Sequence, residues 1–466
     1  MTVIPFSSLI LRDIVSTEKM RAIWSEDRLL RSWMQVEKAV TEAQADLGLI
    51  PVEAARAIVG SLNPETLTVD RLHAQVQRNR HLMVSFLKSF REVCGPAAEH
   101  FHVGPTTQDI LDTALILQIK EAHWLIVQQA LELEDALCRR ALEHRDTIMA
   151  GRTHEQPALP TTFGFVLATW ATEIRDHIER ATESEKRWML GVLTGGVGAQ
   201  NAFVELAGLE TTRRLEQRFC ESLGLGMPLM DLQPRIDRLA EVIVNLAGLS
   251  STLGRIGLNL RSWQRPEVLE TEVPFGPEEY SSSTMPNKRN PEACERVEGL
   301  ASLVRALAQA LQGVPVADHR DGVRVPVEYV SIPMSYMMTS CALDAITAAI
   351  TGLVVNQERM LDNLDSPRSL EQVAGERLMI ALYKRTGKRD WAHTVLSECA
   401  RISHDQGRPY SEVILSDTEL GKHFSGEELE RLMDLTTYSG TAASRTGEAV
   451  ASIRVRREPD LARYAR

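Results

Sequence analysis

The sequence predicts an all-α protein: an elongated central bundle of long helices, with a smaller helical domain before it and another after it. The clearest indication is residues 108–145, where apolar side chains recur every three or four positions and neither Pro nor Gly interrupts the run. A helix of that length is roughly 55 Å long, more than the width of a small domain. Its apolar stripe consists of Leu111, Leu115, Ile119, Ala122, Ile126, Ala130, Leu133, Leu137 and Ala141.

The same periodicity predicts the other elements in chain order. Further long helices are predicted at 161–193, 234–263, 292–313 and 333–364. Shorter helices are predicted at about 17–24, 26–47, 51–59 and 82–93, and more of them, separated by Gly and Asp turns, within 365–466.

These elements predict three domains, at 1–107, 108–364 and 365–466. Apolar stripes of such length also favour homo-oligomerisation, because one bundle rarely covers all of them. The basic C-terminal stretch "SIRVRREPDLARYAR" is expected to be a frayed or surface-docked tail.

Composition and charge narrow the class of protein. The chain has 466 residues, 44% of them hydrophobic and 25% charged, as is typical of globular proteins. Its formal net charge of −11 opposes binding to nucleic acid or to an anionic membrane. The six cysteines form no CxxC pair, the N-terminus does not resemble a signal peptide, and no apolar run reaches the length of a membrane span. We therefore expect a cytoplasmic protein that binds neither nucleic acid nor membrane.

Three polar stretches interrupt the helical pattern, each beside a predicted long helix. They are "HVGPTTQDILDTA" at 102–114, "GRTHEQPALPTTFG" at 151–164 and "SSSTMPNKRNP" at 281–291. Thr107 either caps the helix that follows or, with neighbouring hydroxyls and helix-terminal amides, binds a carboxylate. A lone histidine in a loop, such as His154, is more often a surface or capping residue than a catalytic one. Taken alone, 281–291 is typical of a flexible linker.

The order Ser-Ser-x-Met-Pro-x-Lys-x-Asn-Pro at 282–291 argues against a linker. It resembles the signature loop of the fumarase/aspartase superfamily, and the other two polar stretches match that superfamily's further signature regions in order and spacing. "IWSEDRLLRSWMQVEKAVTEAQADLGLIP" at 23–51 is similar to the N-terminal helices of adenylosuccinate lyases. "EVLETEVPF" at 267–275 and "GKRDWAHTVLSECA" at 387–400 resemble later parts of that branch and of the related 3-carboxy-cis,cis-muconate cycloisomerases.

The resemblance implies an enzyme that takes a proton from the carbon beside a carboxylate and releases fumarate from a small succinyl-type substrate. By the family pattern Ser282 is the base, while Lys288 and Asn290 hold the carboxylate into which negative charge moves. His154 would protonate the leaving group, with Glu295 as its partner. Alternatively, Glu295 is a first-turn charge that interacts with a helix dipole.

The resemblance also implies the rest of the site. The further candidate substrate ligands are Thr106, Thr107, Gln108, Thr153, Arg80 and His81. Because the superfamily assembles each active site from three subunits, a homotetramer with shared sites is expected. No metal and no organic cofactor are expected, because the substrate carboxylate itself accepts the electron pair.

Two departures from the family pattern bear on the substrate. Ser281 stands where the signature loop usually has Gly. The segment "HRDGVRVPVEYVSIP" at 319–333 lacks the Ser-rich stretch and Glu-Arg pair that help the purine enzymes bind a nucleotide phosphate. Arg320 and Arg324 are either ligands for an extra anionic group or exposed surface arginines.

The leading hypothesis is an adenylosuccinate-lyase-like enzyme that cleaves a C–N bond, on adenylosuccinate or on another succinyl substrate. The alternative is a 3-carboxy-cis,cis-muconate cycloisomerase, an intramolecular C–O lyase. A further alternative is a non-catalytic helical scaffold.

Overall fold

The computed structural model describes residues 5–230, 236–314, 321–365 and 367–464. For residues 365 and 367–372 it describes the backbone only. Helices make up 73% of the structure, so the all-α prediction is confirmed. The helices of the N-terminal region are α1 (Arg12–Val15), α2 (Glu18–Ile23), α3 (Glu26–Asp46), α4 (Val52–Ser61), α5 (Val69–Asn79) and α6 (Leu82–Cys94). Of these, α1 and α5 were not anticipated from the sequence.

The middle of the chain holds six long helices, among them the four longest in the described part of the chain. They are α7 (Thr107–Glu143), α8 (Phe163–Trp188), α9 (Asn201–Ser222), α10 (Ile236–Trp263), α11 (Glu292–Gln312) and α12 (Arg324–Thr351). The predicted bounds of α7, α10 and α11 agree with these to within a few residues. Helix α10 is long and apolar enough to span a membrane, but 61% of its most apolar stretch is buried inside the protein, as expected of a core helix.

The predicted helix at 333–364 was wrong at both ends. Helix α12 begins at Arg324 and carries Pro333 in its interior, where the sequence suggested a first-turn proline. It ends at Thr351, and a short strand and a separate helix follow before residue 364. The apolar periodicity did not predict the end of this helix at Thr351, because apolar residues continue through the strand that follows.

The stretch 151–164 is not a loop as predicted but mostly a β-hairpin. Strand β1 (Ile148–Thr153) pairs antiparallel with β2 (Gln156–Thr162), and a second short pair joins β3 (Thr271–Glu272) to β4 (Val354–Val355). At Gly151 the register shifts, and a Cβ there would stand 2.7 Å from the Leu159 carbonyl oxygen. Only glycine allows the strands to approach so closely.

Short helices fill the C-terminal region, as predicted, except for the last. They are α13 (Gln357–Asp365), α14 (Pro367–Thr386), α15 (Arg389–Gln406), α16 (Tyr410–Ser416), α17 (Gly426–Met433) and α18 (Ala442–Tyr464). As far as residue 464, the basic stretch expected to be a frayed or surface-docked tail belongs to α18, a helix of 23 residues.

The chain packs as two compact units, each assembled from three separate segments. Unit 1 comprises 1–130, 177–254 and 296–344, and unit 2 comprises 131–176, 255–295 and 345–466. The long helices contribute residues to both. The three consecutive domains expected from the sequence remain a prediction.

Aromatic packing forms part of the core of unit 1. Trp33 meets Phe86 edge to face with ring centroids 5.8 Å apart, and Phe90 packs against Phe101 at 3.9 Å. All four rings are buried, which fixes α3 against α6 and the segment that follows it.

Buried ion pairs anchor the C-terminal helix within unit 2. Arg175 on α8 is fully buried; it donates to Glu134 and to Asp460, at 2.7 Å in each case. Arg457 pairs with the same Glu134 at 3.2 Å and with Asp135 at 2.7 Å. Burial raises the pKa of Glu134 to about 7 even though both arginines favour its ionised form. The docked C-terminus is therefore held by charge in the interior.

Candidate active site

The signature loop 281–291 lies in unit 2 and contains neither helix nor strand, as predicted. Ser282 is half-buried, and its Oγ accepts hydrogen bonds from the backbone N–H groups of Met285 at 2.9 Å and Thr284 at 3.3 Å. Two N–H dipoles aimed at one oxygen stabilise negative charge on that oxygen. The turn thus holds the hydroxyl in the way that a serine base requires.

A cavity of about 780 Å³ opens beside this loop, lined entirely by residues of unit 2. Its walls include the predicted ligands Lys288 and Asn290 and the predicted carboxylate Glu295, together with cations that the sequence did not single out: Arg261, Arg265 and Arg289. Arg265 donates to the Ser262 carbonyl oxygen, and Arg289 lies over the Phe275 ring at 5.6 Å. Because Glu272 and Glu295 also line the cavity, its walls carry four cationic and two anionic side chains.

Asn290 is already partly engaged by the loop itself. Its side-chain Nδ2 donates to the Ser281 carbonyl oxygen at 2.6 Å, and its backbone N–H donates to Ser281 Oγ at 2.9 Å. An amide carries two N–H bonds, so one donor remains for a ligand. The loop therefore orients the amide before any ligand arrives.

The predicted acid His154 stands at the tip of the β1–β2 hairpin. Thr153 pairs with Gln156, so His154 and Glu155 form a two-residue turn, with φ angles of 52° and 62°. Such a turn usually contains Asn or Gly, because the left-handed conformation costs other residues about 1–2 kcal/mol each. Thr153 and His154 are both exposed. Strain of this kind is common where a side chain must be presented for a function.

An ion pair near the tip of the hairpin holds it in place. Arg152 donates to both oxygens of Glu270, at 2.8 and 2.6 Å, and Asn363 donates to the same carboxylate at 2.9 Å. The Glu270 side chain is fully buried. This bidentate contact fixes the end of β1, the strand that leads into His154.

The expected pairing of His154 with Glu295 is not formed within one chain. Both side chains are exposed, and among the described residues neither hydrogen-bonds to the other. Glu295 lies in the first turn of α11, the position that the alternative interpretation gives it.

The predicted ligands Thr106, Thr107 and Gln108 lie in unit 1 at the start of α7. Asp109, fully buried, organises this segment: its carboxylate accepts the N–H groups of Thr106 at 2.9 Å, Thr194 at 3.0 Å and Gly195 at 3.0 Å. Because the bond to Thr106 is half of a capping box, the helix start is fixed without using the threonine hydroxyls. The sequence signal for Asp109 was its place at the end of "TTQD".

Arg80 and His81 act as helix caps in unit 1. Arg80 ends α5 with a left-handed φ of 53°, and the His81 ring Nδ1 accepts from the Val84 N–H at 3.2 Å to start α6. Both are exposed. Their predicted contact with substrate remains a prediction.

Arg324 is not the exposed cation that the sequence allowed. It is buried, and its guanidinium donates to Glu328 at 2.9 and 2.7 Å and to Asp112 at 2.7 Å. Burial raises the pKa of Asp112 to about 7, outweighing the attraction of Arg324. With two carboxylates already bound, this arginine is engaged within unit 1. Arg320 lies outside the described residues.

Comparison with known proteins identifies the family. A family model described as "Lyase" matches residues 12–306, and another described as "Adenylosuccinate lyase C-terminus" matches residues 371–448. The chain is a lyase of the fumarase/aspartase superfamily. The superfamily and the branch predicted from the signature loop are confirmed, as is the prediction that this lyase is adenylosuccinate-lyase-like.

Two relatives and one structure illustrate the range of this lyase family. Adenylosuccinate lyase from Methanocaldococcus jannaschii is 36% identical, with 94% of each chain covered. N-acetyl-S-(2-succino)cysteine lyase from Dickeya dadantii is 33% identical over 95% of this chain and 96% of the relative. The crystal structure of 3-carboxy-cis,cis-muconate lactonizing enzyme from Pseudomonas putida superimposes with a TM-score of 0.86 at 29% identity, covering 96% of this chain and 99% of that one.

Proposed function

We propose that this lyase releases fumarate from a small succinyl-bearing substrate by cleaving a C–N bond, with Ser282 as the base. The observation that carries the proposal is that Ser282 Oγ receives two backbone N–H groups within the same loop that supplies Lys288 and Asn290 to the cavity wall. A base and a cationic carboxylate site are the two requirements of this elimination.

The proposed reaction proceeds in two steps. The Ser282 oxyanion takes the proton from the carbon beside a carboxylate, and the C–H electron pair moves into that carboxylate, which becomes doubly negative. Lys288 and Asn290 stabilise this charge. The electron pair then returns to form the C=C bond of fumarate, the C–N bond breaks, and its electrons leave on nitrogen, which takes a proton from His154.

We propose that the second substrate carboxylate binds Thr106, Thr107, Gln108 and Thr153, and that the site is shared between subunits of a homotetramer. The support is that His154 and Glu295 are both exposed within one chain, as expected of groups that meet residues of another copy. Arg80 and His81, which cap α5 and α6, are also proposed to contact the substrate. The six free cysteines are compatible with a cytoplasmic location.

A second candidate is cleavage of a C–S bond. It is favoured by the 33% identity to the Dickeya dadantii enzyme, whose name specifies a succinylated thiol. The cycloisomerase alternative is supported by the Pseudomonas putida structure. All three reactions use the same base and differ in the leaving group, and the buried ion pairs of Arg324 speak against an added anionic subsite at that residue.

The test is a substrate panel with the purified enzyme. Adenylosuccinate, argininosuccinate, N-acetyl-S-(2-succino)cysteine and 3-carboxymuconate are each incubated with the protein, and fumarate or lactone is followed by ultraviolet absorbance and chromatography. Fumarate from an amine-bearing substrate supports the proposal. Fumarate from the thioether alone would replace C–N with C–S cleavage, and lactone without fumarate would replace it with cycloisomerisation.

A further inference from the structure

The two ends of the signature loop are joined by one hydroxyl group. Ser281 Oγ donates to the Lys288 carbonyl oxygen at 2.5 Å and accepts from the Asn290 N–H at 2.9 Å. The Asn290 side chain returns a third hydrogen bond to the Ser281 carbonyl oxygen at 2.6 Å. We call these three bonds the loop neck. They connect the residue before the proposed base to the two residues proposed to grip the substrate.

The neck depends on a side chain that the usual family pattern does not supply. A glycine in place of Ser281 leaves only the bond from the Asn290 amide to the backbone, and both bonds of the hydroxyl disappear. Ser281 is not among the described residues with positive φ, so this position does not need glycine for its conformation. The serine therefore adds contacts without adding backbone strain.

The contacts restrict how the loop moves. Residues 283–289 are exposed, whereas Ser281, Ser282 and Asn290 are half-buried. With the neck closed, displacement is confined to residues 283–287, and the distance between the Ser282 backbone and the Asn290 amide stays fixed. A displacement of about 1 Å between reacting groups can cost about 10²-fold in rate, so a fixed distance has kinetic value.

We propose that Ser281 is a positioning residue that holds Ser282, Lys288 and Asn290 as one preorganised group. This role rests on the proposed function of Ser282 as the base. Loss of the neck should lower kcat, because the neck sets the geometry of the proton transfer. KM should change little, because cavity cations outside the loop still bind the substrate.

The experiment compares Ser281→Ala, Ser281→Gly and Ser281→Thr in the full-length enzyme. Ala removes the hydroxyl, Gly also frees the backbone, and Thr keeps the hydroxyl. Ser416→Ala is the matched control: its Oγ also donates to a backbone carbonyl, that of Glu412 at 2.6 Å, but far along the chain from the loop. For each variant, kcat and KM are measured with the best substrate of the panel, and hydrogen exchange is measured for the peptide 281–291 with and without fumarate.

We expect Ser281→Ala and Ser281→Gly to lower kcat about tenfold with KM changed less than about threefold. In both variants the backbone amide hydrogen of Asn290 should exchange faster. In Ser281→Thr and in the control, kcat and this exchange rate should stay within about twofold of the parent enzyme. An unchanged exchange rate in Ser281→Ala would show that the Ser281 hydroxyl does not restrict the motion of the loop. Faster exchange with unchanged kcat would overturn its positioning role. The exchange measurement does not depend on the identity of the base, so failure of Ser282 as the base would be seen separately, as activity retained in Ser282→Ala.

Discussion

The arginines inside the two units and the cations around the signature-loop cavity are used in opposite ways. Arg175 and Arg324 are buried, and each is neutralised by two carboxylates of its own unit. Lys288 and Arg289 are exposed, and no carboxylate pairs with either in the part of the chain that the structure describes. A buried charge without a partner is costly, whereas an exposed one remains available for a ligand. The comparison separates cations that hold the fold from cations that can bind a substrate anion.

The largest effect should come from Ser282→Ala, which removes the proposed base from the signature loop. We expect kcat to fall about 10³-fold, within the range typical of general-base removal, with an unchanged melting temperature. Ser61→Ala, which removes an exposed hydroxyl bonded to the Ala57 carbonyl, serves as the control. Turnover close to that of the parent enzyme would eliminate Ser282 as the base.

On the buried side, Arg175→Met should destabilise the protein by about 3–5 kcal/mol, because Glu134 and Asp460 lose their shared partner. Denaturant unfolding of the purified protein measures the loss. Adding Glu134→Leu to the same variant should recover part of it, since the buried carboxylate that has lost Arg175 and keeps Arg457 is then gone. A loss below about 1 kcal/mol would mean that the protein does not depend on this ion cluster, and that Arg175 does not belong among the cations that hold the fold.

Lys288→Met should show the reverse pattern. We expect kcat/KM to fall about 10²-fold because the substrate carboxylate loses its charge partner, with little change in melting temperature. Arg289→Met, which replaces the neighbouring exposed cation over Phe275, provides the comparison. If Lys288→Met lowered stability more than activity, the lysine would belong with the structural cations.

His154→Ala should have a smaller effect that depends on the leaving group. An amine leaves poorly without a proton, so its release should slow about 10²-fold, whereas a thiolate leaves readily and should lose less than about tenfold. The measurement is kcat for amine- and thioether-bearing succinyl substrates. Equal losses for both would show that His154 does not act as the acid.

The smallest predicted effect is on the pH dependence of stability. Burial raises the pKa of Asp112 to about 7, so between the ordinary carboxyl range and pH 7 the folded protein binds more protons than the unfolded chain. The free energy of unfolding contributed by Asp112 is therefore highest at low pH and falls as pH rises toward 7. Asp112 is faced by Arg324, Glu328 and Asp109.

In Asp112→Asn this fall should be reduced, as measured by melting temperature at a series of pH values. Asp390→Asn, which changes a side chain that is 94% exposed, should leave the slope as it is in the parent. A slope in Asp112→Asn identical to that of the parent would show that this carboxyl does not titrate in the range.

Local sequence patterns predicted α7, α10 and α11 to within a few residues, because a 3.6-residue apolar period survives burial on either side, but they missed α9. They failed where tertiary contacts override local preference. His154 and Glu155 are poor residues for a two-residue hairpin turn, so the hairpin was missed, and Pro333 is a poor residue for a helix interior, so the start of α12 was placed too late.

The candidate site was predictable to the extent that it is written in short motifs. The loop 282–291 carries the spacing of base and ligands in ten consecutive positions. The burial of Arg324 was not predictable, because its partner Asp112 lies 212 residues away in the chain. Arg261 and Arg265 line the cavity through folding of the chain and belong to no motif.

The docking of α18 has a consequence for the order of events during synthesis. Asp135 and Arg457 are 322 residues apart, and Asp460 reaches Arg175 across 285 residues. Until residues 457–460 emerge from the ribosome, the buried pair of Glu134 and Arg175 lacks its distal partners, so the interior of unit 2 stays incomplete. A chain truncated before Arg457 would leave this pair without the two side chains that complete it.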